Sequence, residues 1–387
     1  MNKNRSGNNK VNVSFVIIQT KMGGAERLVY NLIRSMERET FFPSLIYFNK
    51  GSELEEFERL NIPIYHIPKS RRLDLLTMKK ISRIVEQNEV HVINAHHFMP
   101  MLYSFYACKI TNRVKLIYTA HSEWEVKKIP WYWKIFGHIL LAHSDKAVGV
   151  TGNVSNEIRR AFRLNQEKTL TILNGVAISD GDASNGNQNL KKALKIGSGS
   201  KVIGVVANFR KVKNHIFLLK AFRETLKEYK NVKLLLIGQG FDTDPMNSEP
   251  EIRRFINEND LIRSVLILGY RPDVAELLSI MDIFCLTSLK EGLPISLIEA
   301  MGSGLPVVGT DVEGIKDVIL HNKNGFLVRP WDIDSMKRSL LILLENEALA
   351  KEFGRMSRNL ATERYSLARC ISQYQQLFFS LAKECEA

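Results

Sequence analysis

Residues 201–237 read KVIGVVANFRKVKNHIFLLKAFRETLKEYKNVKLLLI, with two short runs of valine, isoleucine and leucine on either side of an amphipathic stretch. This pattern predicts a strand over 201–207, a helix over 215–228 and a second strand over 232–237. Two strands joined through a helix lie parallel in one sheet, with the helix packed on its face. The segment therefore predicts a parallel α/β unit.

The same alternation extends in both directions along the chain. Strands are predicted at 13–19, 44–48, 64–67, 90–94, 115–119, 147–150, 170–172 and 265–268. Helices are predicted at 25–36, 73–87, 251–257 and 367–383. A length of 387 residues suits two domains, so we predict an α/β protein with two doubly wound, Rossmann-like domains facing across a cleft.

The domain boundary is predicted from composition. Residues 179–199 are rich in serine, glycine, asparagine and aspartate, a composition that is typical of a linker or loop. We therefore expect an N-terminal domain over 1–178 and a C-terminal domain over 200–365. The helical segment 366–387 is expected to return to the N-terminal domain.

Composition and charge exclude several classes of protein. The four cysteines are scattered and the chain is long, which indicates reduced thiols rather than a disulfide scaffold. We find no signal peptide or spanning segment and expect a cytoplasmic protein. The formal net charge is +13, of which residues 1–175 carry +11. This charge is compatible with nucleic acid, an anionic membrane, a phosphorylated substrate or solubility alone.

Two segments suit the binding of phosphate. Gly23 and Gly24 lie between the first strand and the first helix, where backbone N–H groups and the helix dipole favour an anion. Arg210 and Lys213 follow the strand 201–207, at the edge of the sheet where ligands bind in such folds. A structural glycine turn and a solvated basic loop are the alternatives.

A third segment, EGLPISLIE at residues 291–299, carries two carboxylates eight positions apart. Pro294 suits the first turn of a helix, which places Glu291 in the preceding loop and Glu299 inside the helix. Both can then face one ligand. One carboxylate could contact a sugar and the other could accept two hydroxyl donors of a ribose.

Five motifs together resemble one known family, the retaining GT-B glycosyltransferases of family four (glycosyl transferases group 1). They are GGAE at 23–26, FRKVKN at 209–214, GQG at 238–240, EGLPISLIE at 291–299 and NGFLV at 324–328. The resemblance spans nearly the whole chain. The chain has Glu313-Gly314 where the family commonly has paired glycines.

The resemblance implies roles for individual residues. Arg210 and Lys213 would bind the donor diphosphate, Glu299 the nucleotide ribose and Glu291 the donor sugar. Further donor contacts are implied at Gly23, Gly24, Gly238, Arg271, Gly292 and Leu293. His121, after the strand 115–119, resembles a family histidine near the reacting sugar, so we expect catalytic roles for His121, Glu291, Arg210 and Lys213.

The implied reaction moves a sugar, with retention, from a UDP-sugar in preference to a GDP-sugar to a glycan or lipid-linked glycan. Departure of the diphosphate develops negative charge that fixed cations stabilise, so no metal or other cofactor is expected. Asp242 and Asp244 form an Asp-x-Asp pair but read as part of a solvated loop. The alternatives are a nucleotide-sugar epimerase or sugar-phosphate synthase, and a basic non-catalytic protein that binds membrane or nucleic acid. Nucleic acid is the least favoured partner, and the sequence leaves the oligomeric state open.

Aromatic and basic residues alternate between residues 124 and 136. The aromatic residues are Trp124, Trp131, Tyr132, Trp133 and Phe136, and the lysines are Lys127, Lys128 and Lys134. This composition suits peripheral contact with an anionic membrane at its cytoplasmic face. The alternative is a helix that packs its aromatic side chains inward and leaves the lysines in water.

Overall fold

Each predicted α/β half contains one sheet whose strands all pair in parallel. The computed structural model describes residues 10–21, 23–68, 74–111, 113–178 and 188–386. It divides into two units, the first formed by Met1–Gly175 with Leu367–Ala387 and the second by Val176–Ser366. On these bounds the first unit carries a formal net charge of +11 and the second +2.

The first unit has seven described strands and eight described helices. The strands are β1 (Val11–Gln19), β2 (Phe41–Asn49), β3 (Ile64–His66), β4 (Val92–His96), β5 (Lys115–Ala120), β6 (Lys146–Gly149) and β7 (Thr169–Thr171). The helices are α1 (Gly24–Ser35), α2 (Leu54–Glu58), α3 (Leu75–Gln87), α4 (Phe98–Thr111), α5 (Glu123–Lys127), α6 (Trp131–Ala142), α7 (Gly152–Phe162) and, at the chain end, α15 (Leu367–Glu386).

The second unit has six described strands. They are β8 (Lys201–Val206), β9 (Val232–Ile237), β10 (Val265–Gly269), β11 (Ile283–Leu286), β12 (Val307–Thr310) and β13 (Gly325–Val328). The helices are α8 (Gln188–Ala193), α9 (His215–Glu228), α10 (Glu249–Glu258), α11 (Val274–Ser279), α12 (Ile295–Gly302), α13 (Ile333–Glu345) and α14 (Glu347–Tyr365), with a 3₁₀ turn at Lys211–Lys213.

Both sheets reverse their winding direction at one place. The strand order is β3-β2-β1-β4-β5-β6-β7 in the first unit and β10-β9-β8-β11-β12-β13 in the second. The central strands are apolar and buried because helices cover both faces. In sheets of this topology, ligands bind beyond the carboxyl ends of the strands at the reversal. The loops that follow β1 and β4, and those that follow β8 and β11, are therefore the places to look for a site.

The last helix completes the core of the first unit. α15 packs against α1, β1, β4 and β5. Its Tyr374 and Phe378 are fully buried, and Phe378 meets Phe15 of β1 edge to face with ring centroids 5.8 Å apart. The first sheet thus depends on residues from both ends of the chain.

The structure departs from the sequence-based expectations at several element and domain bounds. The strand expected at 90–94 is β4, two residues later, because the Val90 N–H donates to the Val85 carbonyl and ends α3. The expected linker 179–199 contains α8, and residues 179–187 lie outside the described residues. The first unit ends at Gly175 rather than at residue 178. Within the described ranges, no helix combines the length and the apolar composition needed to cross a bilayer.

Candidate active site

In the second unit, Lys213 and Glu291 meet at the winding reversal. Lys213 follows β8 and Glu291 follows the neighbouring strand β11, and the Lys213 Nζ lies 2.6 Å from the Glu291 Oε1. Their side chains are 25% and 10% exposed. The Ser288 hydroxyl donates to the same Glu291 oxygen at 2.5 Å. The two residues that the sequence placed 78 positions apart thus form one partly buried, charge-assisted pair.

Arg210 lies in the same loop and is held by an acidic partner. Its Nε is 2.7 Å from the Asp244 Oδ2, and the other carboxylate oxygen of Asp244 accepts the Met246 N–H at 2.9 Å. The buried ring of Phe209 anchors the loop beneath. The expectation that the Asp-x-Asp pair is merely solvated is therefore wrong for Asp244, although Asp242 is exposed. Among the described residues there is no group of three or more His, Cys, Asp or Glu that could hold a metal ion.

The loop from Glu291 to α12 is shaped by a glycine from another segment. Gly314 has a φ of +86°, and a Cβ there would lie 2.5 Å from the Gly292 carbonyl oxygen. Glycine is therefore required at this position. Gly292 is exposed, Leu293 is partly buried and Glu299 lies in the second turn of α12, partly buried. Pro294 caps this helix rather than occupying its first turn.

Two more of the expected donor contacts lie at the ends of β9 and β10. Gly238 follows β9 with a φ of +144°, and a Cβ there would lie 2.0 Å from the Ala207 carbonyl oxygen. Only glycine fits this close approach of the two loops. Arg271 follows β10, and its guanidinium is bound by Asp273, with 2.7 Å between Nε and Oδ1. Of these two residues, Gly238 borders the loop that carries Arg210.

The glycine turn of the first unit carries an internal carboxylate. The Gly23 N–H donates to the Glu26 Oε2 at 3.1 Å, so this group of the expected anion cradle already has an acceptor. Burial raises the pKa of Glu26, an effect that backbone hydrogen bonds and His97 partly oppose. Gly24 is exposed, and a Cβ there would meet nothing within 4 Å. The turn is therefore open to a ligand at Gly24.

Three histidines cluster beyond β4 and β5. The His96 Nδ1 and the His121 Nε2 are 2.8 Å apart, and their rings stack with centroids separated by 5.1 Å. His97 lies against the same His121 ring at 5.1 Å. The His97 Nδ1 is 2.8 Å from the Glu125 Oε1, and the His121 backbone N–H donates to the Glu125 Oε2 at 3.2 Å. Glu125 thus ties the whole cluster to α5.

The pKa values of the three imidazoles are shifted in opposite directions. Burial and the neighbouring His97 lower the pKa of His96 to about 3. Burial, followed by His96 and His97, lowers the pKa of His121 well below its ordinary value. Burial also lowers the pKa of His97, but Glu125 and Glu26 outweigh it and leave that pKa raised. The buried Nδ1 of the His121 ring is left without a hydrogen-bond partner in the described part of the protein.

The helices α5 and α6 present an apolar face to solvent. Trp131 is 73% exposed and Ile135 is 59% exposed, one turn apart on α6. The other exposed members are Trp124, Tyr132, Phe136 and Ile139. We call these six residues the apolar face. The opposite side of α6 packs inward, and a Cβ at Gly137 would lie 2.5 Å from the Phe162 ring. The alternative in which the aromatic side chains pack inward is therefore wrong, except for the partly buried Trp133.

Sequence reasoning missed the contacts that four residues make in these clusters. Asp244 binds Arg210 and Ser288 binds Glu291, while Glu125 and Glu26 raise the pKa of His97. Glu26 alone carried a sequence signal, since it lies at the third helical position after Gly23, where it can reach back to that N–H. Asp244 and Glu125 reach Arg210 and His97 from distant parts of the sequence, and Ser288, only three positions before Glu291, carried no recognisable signal.

Both halves of the chain match family models of glycosyltransferases. Residues 22–180 match the family model described as Glycosyltransferase Family 4, and residues 186–360 match the model described as Glycosyl transferases group 1. The N-acetyl-alpha-D-glucosaminyl L-malate synthase of Bacillus anthracis is 26% identical over 335 residues, covering 85% of this chain and 84% of that protein.

A second relative and a solved structure extend the match to nearly full length. The UDP-Gal:alpha-D-GlcNAc-diphosphoundecaprenol alpha-1,3-galactosyltransferase of Escherichia coli is 20% identical and covers 97% of this chain and 99% of that protein. The Anabaena HepE protein, solved in complex with UDP, superposes with a TM-score of 0.83 at 20% identity, covering 96% of this chain and all of that one.

Proposed function

Because this chain belongs to the group 1 glycosyltransferases and has their GT-B α/β fold, we propose that it transfers a sugar from a UDP-sugar to a glycan or lipid-linked glycan with retention. The observation that carries the proposal is the Lys213–Glu291 pair at the winding reversal of the second unit, with Arg210 in the same loop. The relatives favour neither an epimerase or sugar-phosphate synthase nor a non-catalytic binder of nucleic acid or membrane.

The donor is proposed to bind in the second unit. Lys213 and Arg210 hold the diphosphate, because two cations at the carboxyl edge of a parallel sheet can stabilise the charge that develops on the leaving group. Glu299 accepts ribose hydroxyls and Glu291 contacts the donor sugar. Further donor contacts are proposed at Gly238, Arg271, Gly292 and Leu293. UDP is favoured over GDP because the Anabaena neighbour was solved with UDP.

In the first unit, His121 is proposed to act on the reacting sugar. Its neutral ring, with the buried Nδ1 unpartnered among the described residues, can form a hydrogen bond with a sugar hydroxyl without carrying a charge. Gly23 and Gly24 are proposed to contact the diphosphate at their turn, with Gly24 offering the open surface, because the Gly23 N–H already donates to Glu26. The acceptor proton is proposed to pass to the leaving diphosphate as its bond to the sugar breaks.

We place the enzyme at the cytoplasmic face of a membrane, in the building of a cell-surface polysaccharide. The apolar face of α5 and α6 has the composition of an interfacial surface, and Lys127, Lys128 and Lys134 supply cations for anionic lipid. The E. coli relative is named for an acceptor on diphosphoundecaprenol, a lipid carrier. The acceptor class and the exposed face thus support the same location.

The deciding experiment is a donor screen that measures release of nucleoside diphosphate. UDP- and GDP-linked sugars are compared at equal concentration, with a membrane extract as the source of acceptor. We expect release of UDP that depends on the acceptor, and product analysis should give the retained anomer. Release from GDP-sugars alone would overturn the choice of donor, and a rearranged donor sugar without acceptor would indicate an epimerase.

A further inference from the structure

A cavity of about 330 Å³ lies in the first unit where α4 begins and α5 leads into α6. Most of its wall is apolar and comes from Phe98, Met99, Ile129, Pro130 and Trp133. Phe98 and Trp133 meet edge to face, with centroids 6.1 Å apart, and form one side of it. The cavity therefore suits an apolar ligand, since it offers few of the hydrogen-bonding groups that a sugar requires.

The polar part of the wall connects this cavity to the histidine cluster. Glu125 lines the cavity, and its two oxygens contact the His97 ring and the His121 backbone N–H. A ligand in the cavity therefore lies beside the residue that we assign to the reacting sugar. None of the residues assigned to the donor lines this cavity, so its occupant belongs to the acceptor side.

A cation stands at the cavity beside the apolar face. Lys128 lines the cavity, and its Nζ lies 3.5 Å from the centroid of the Trp124 ring. No carboxylate in the described part of the chain forms an ion pair with it. Lys134 lies nearby and donates to the Lys127 carbonyl at 3.2 Å. An anionic group next to an apolar chain would match this pairing of a cation with an apolar pocket.

We propose that this cavity binds the first part of the apolar chain of a lipid-linked acceptor, with the Lys128 ammonium on the phosphate that joins chain and sugar. The inference rests on the proposed function and names its acceptor subsite. The hydrocarbon chain of the lipid enters from the apolar face, and the sugar beyond the phosphate reaches the histidine cluster past Glu125. The ligand class is a long alkyl or isoprenoid phosphate.

The test uses a dodecyl phosphate that is brominated at the chain end, below its micelle concentration, because bromine quenches tryptophan fluorescence on contact. One variant keeps only Trp133, in the cavity, and a matched variant keeps only Trp131, on the apolar face; phenylalanine replaces the other tryptophans. We expect saturable quenching of Trp133 and little quenching of Trp131. Met99→Glu should abolish it, whereas Met246→Glu in the second unit should not.

A second set of measurements separates the phosphate from the chain. Lys128→Ala should weaken binding of the brominated phosphate about fivefold, as for one lysine near an anionic surface, and leave brominated dodecanol unaffected. In the unaltered protein, a dodecyl phosphate carrying a photoreactive group should cross-link to residues 98–99 or 129–133, which covers the case of a variant that fails to fold.

Equal or stronger quenching of Trp131, or cross-links confined to the apolar face, would assign the amphiphile to the surface and overturn the proposal. Inorganic phosphate competing as well as the alkyl phosphate would do the same. UDP binding is measured on the same preparations. Binding of UDP without binding of the alkyl phosphate contradicts only this inference. Binding of the alkyl phosphate without binding of any nucleotide contradicts the proposed function.

Discussion

Replacing Glu291 by glutamine should make UDP bind more tightly. In the free enzyme the Glu291 Oε1 is 2.6 Å from the Lys213 Nζ, the nitrogen that we assign to the donor diphosphate. A phosphate oxygen bound to that nitrogen lies at most about 5.4 Å from the carboxylate, given hydrogen bonds of about 2.8 Å. The two negative charges then repel each other while they compete for one lysine.

The magnitude follows from that distance. At an effective dielectric near 20, two unit charges about 5.4 Å apart interact by about 3 kcal/mol. Lys213 is 25% exposed, so water reduces the effect, and we expect a gain of about 1–3 kcal/mol, or about 5- to 150-fold in the dissociation constant of UDP. Turnover should fall at the same time, because Glu291 is the proposed contact of the donor sugar.

The assay is isothermal titration of UDP at two salt concentrations. Glu251→Gln, an exposed site on α10, is the matched control and should leave the affinity unchanged. Glu299→Gln should weaken UDP binding, because this variant loses a ribose contact. The gain in Glu291→Gln should shrink in high salt. Unchanged or weaker UDP binding by a folded Glu291→Gln protein would refute the reasoning, since Lys213 would then not be the diphosphate contact.

Three further predictions concern the neighbouring loops and the first unit. Gly314→Ala should lower the free energy of unfolding by about 1–3 kcal/mol and raise the KM for the donor, because a side chain at φ +86° is strained and displaces the adjacent loop. The free energy is measured by urea unfolding, and an unchanged KM in a folded variant would contradict the prediction. Glu125→Gln should destabilise the protein by about 1.5–3 kcal/mol near pH 6. The pKa of His97 is raised in the folded state, so the stability from its charge is full below pH 6.5, and the penalty should shrink as the pH rises above that; a pH-independent penalty would argue against it. Replacing Trp131 and Ile135 by serine should weaken sedimentation with anionic liposomes without lowering the melting temperature, and equal sedimentation would count against a membrane role for the apolar face.

Sequence patterns located the regular elements well where burial dictates them. The helix α9 and the strand β9 have the predicted bounds, because a two-sided apolar strand and a long amphipathic helix are set by local periodicity. The predicted position of β4 was two residues too early, because Val90 is apolar and buried like a strand residue although it closes the preceding helix. Its last residue, the fully buried His96, is polar and does not look like part of a core strand.

For the candidate site, the sequence indicated which loops come together and not which side chains contact each other within them. The loops that follow β8 and β11 could be identified because winding topology places them together, and the structure pairs Lys213 with Glu291 there. The partner of Arg210, Asp244, is presented by an irregular loop, whose path no periodicity encodes. Likewise, the i, i+4 spacing of Trp131 and Ile135 predicts a stripe but not the side of the helix that meets the core.

The packing of α15 has a consequence for how the chain folds during synthesis. The second unit is a continuous segment, Val176–Ser366, and all of its residues are added before α15 is. Synthesis of the first unit begins earlier. Its Phe15 nevertheless stays uncovered until Phe378, more than 360 positions later, has been added. The first unit is therefore the first to be started and the last to be completed during synthesis. Until α15 is added, its sheet is exposed to chaperones. A nonsense mutation that removes only α15 should act as a folding defect of the amino-terminal half.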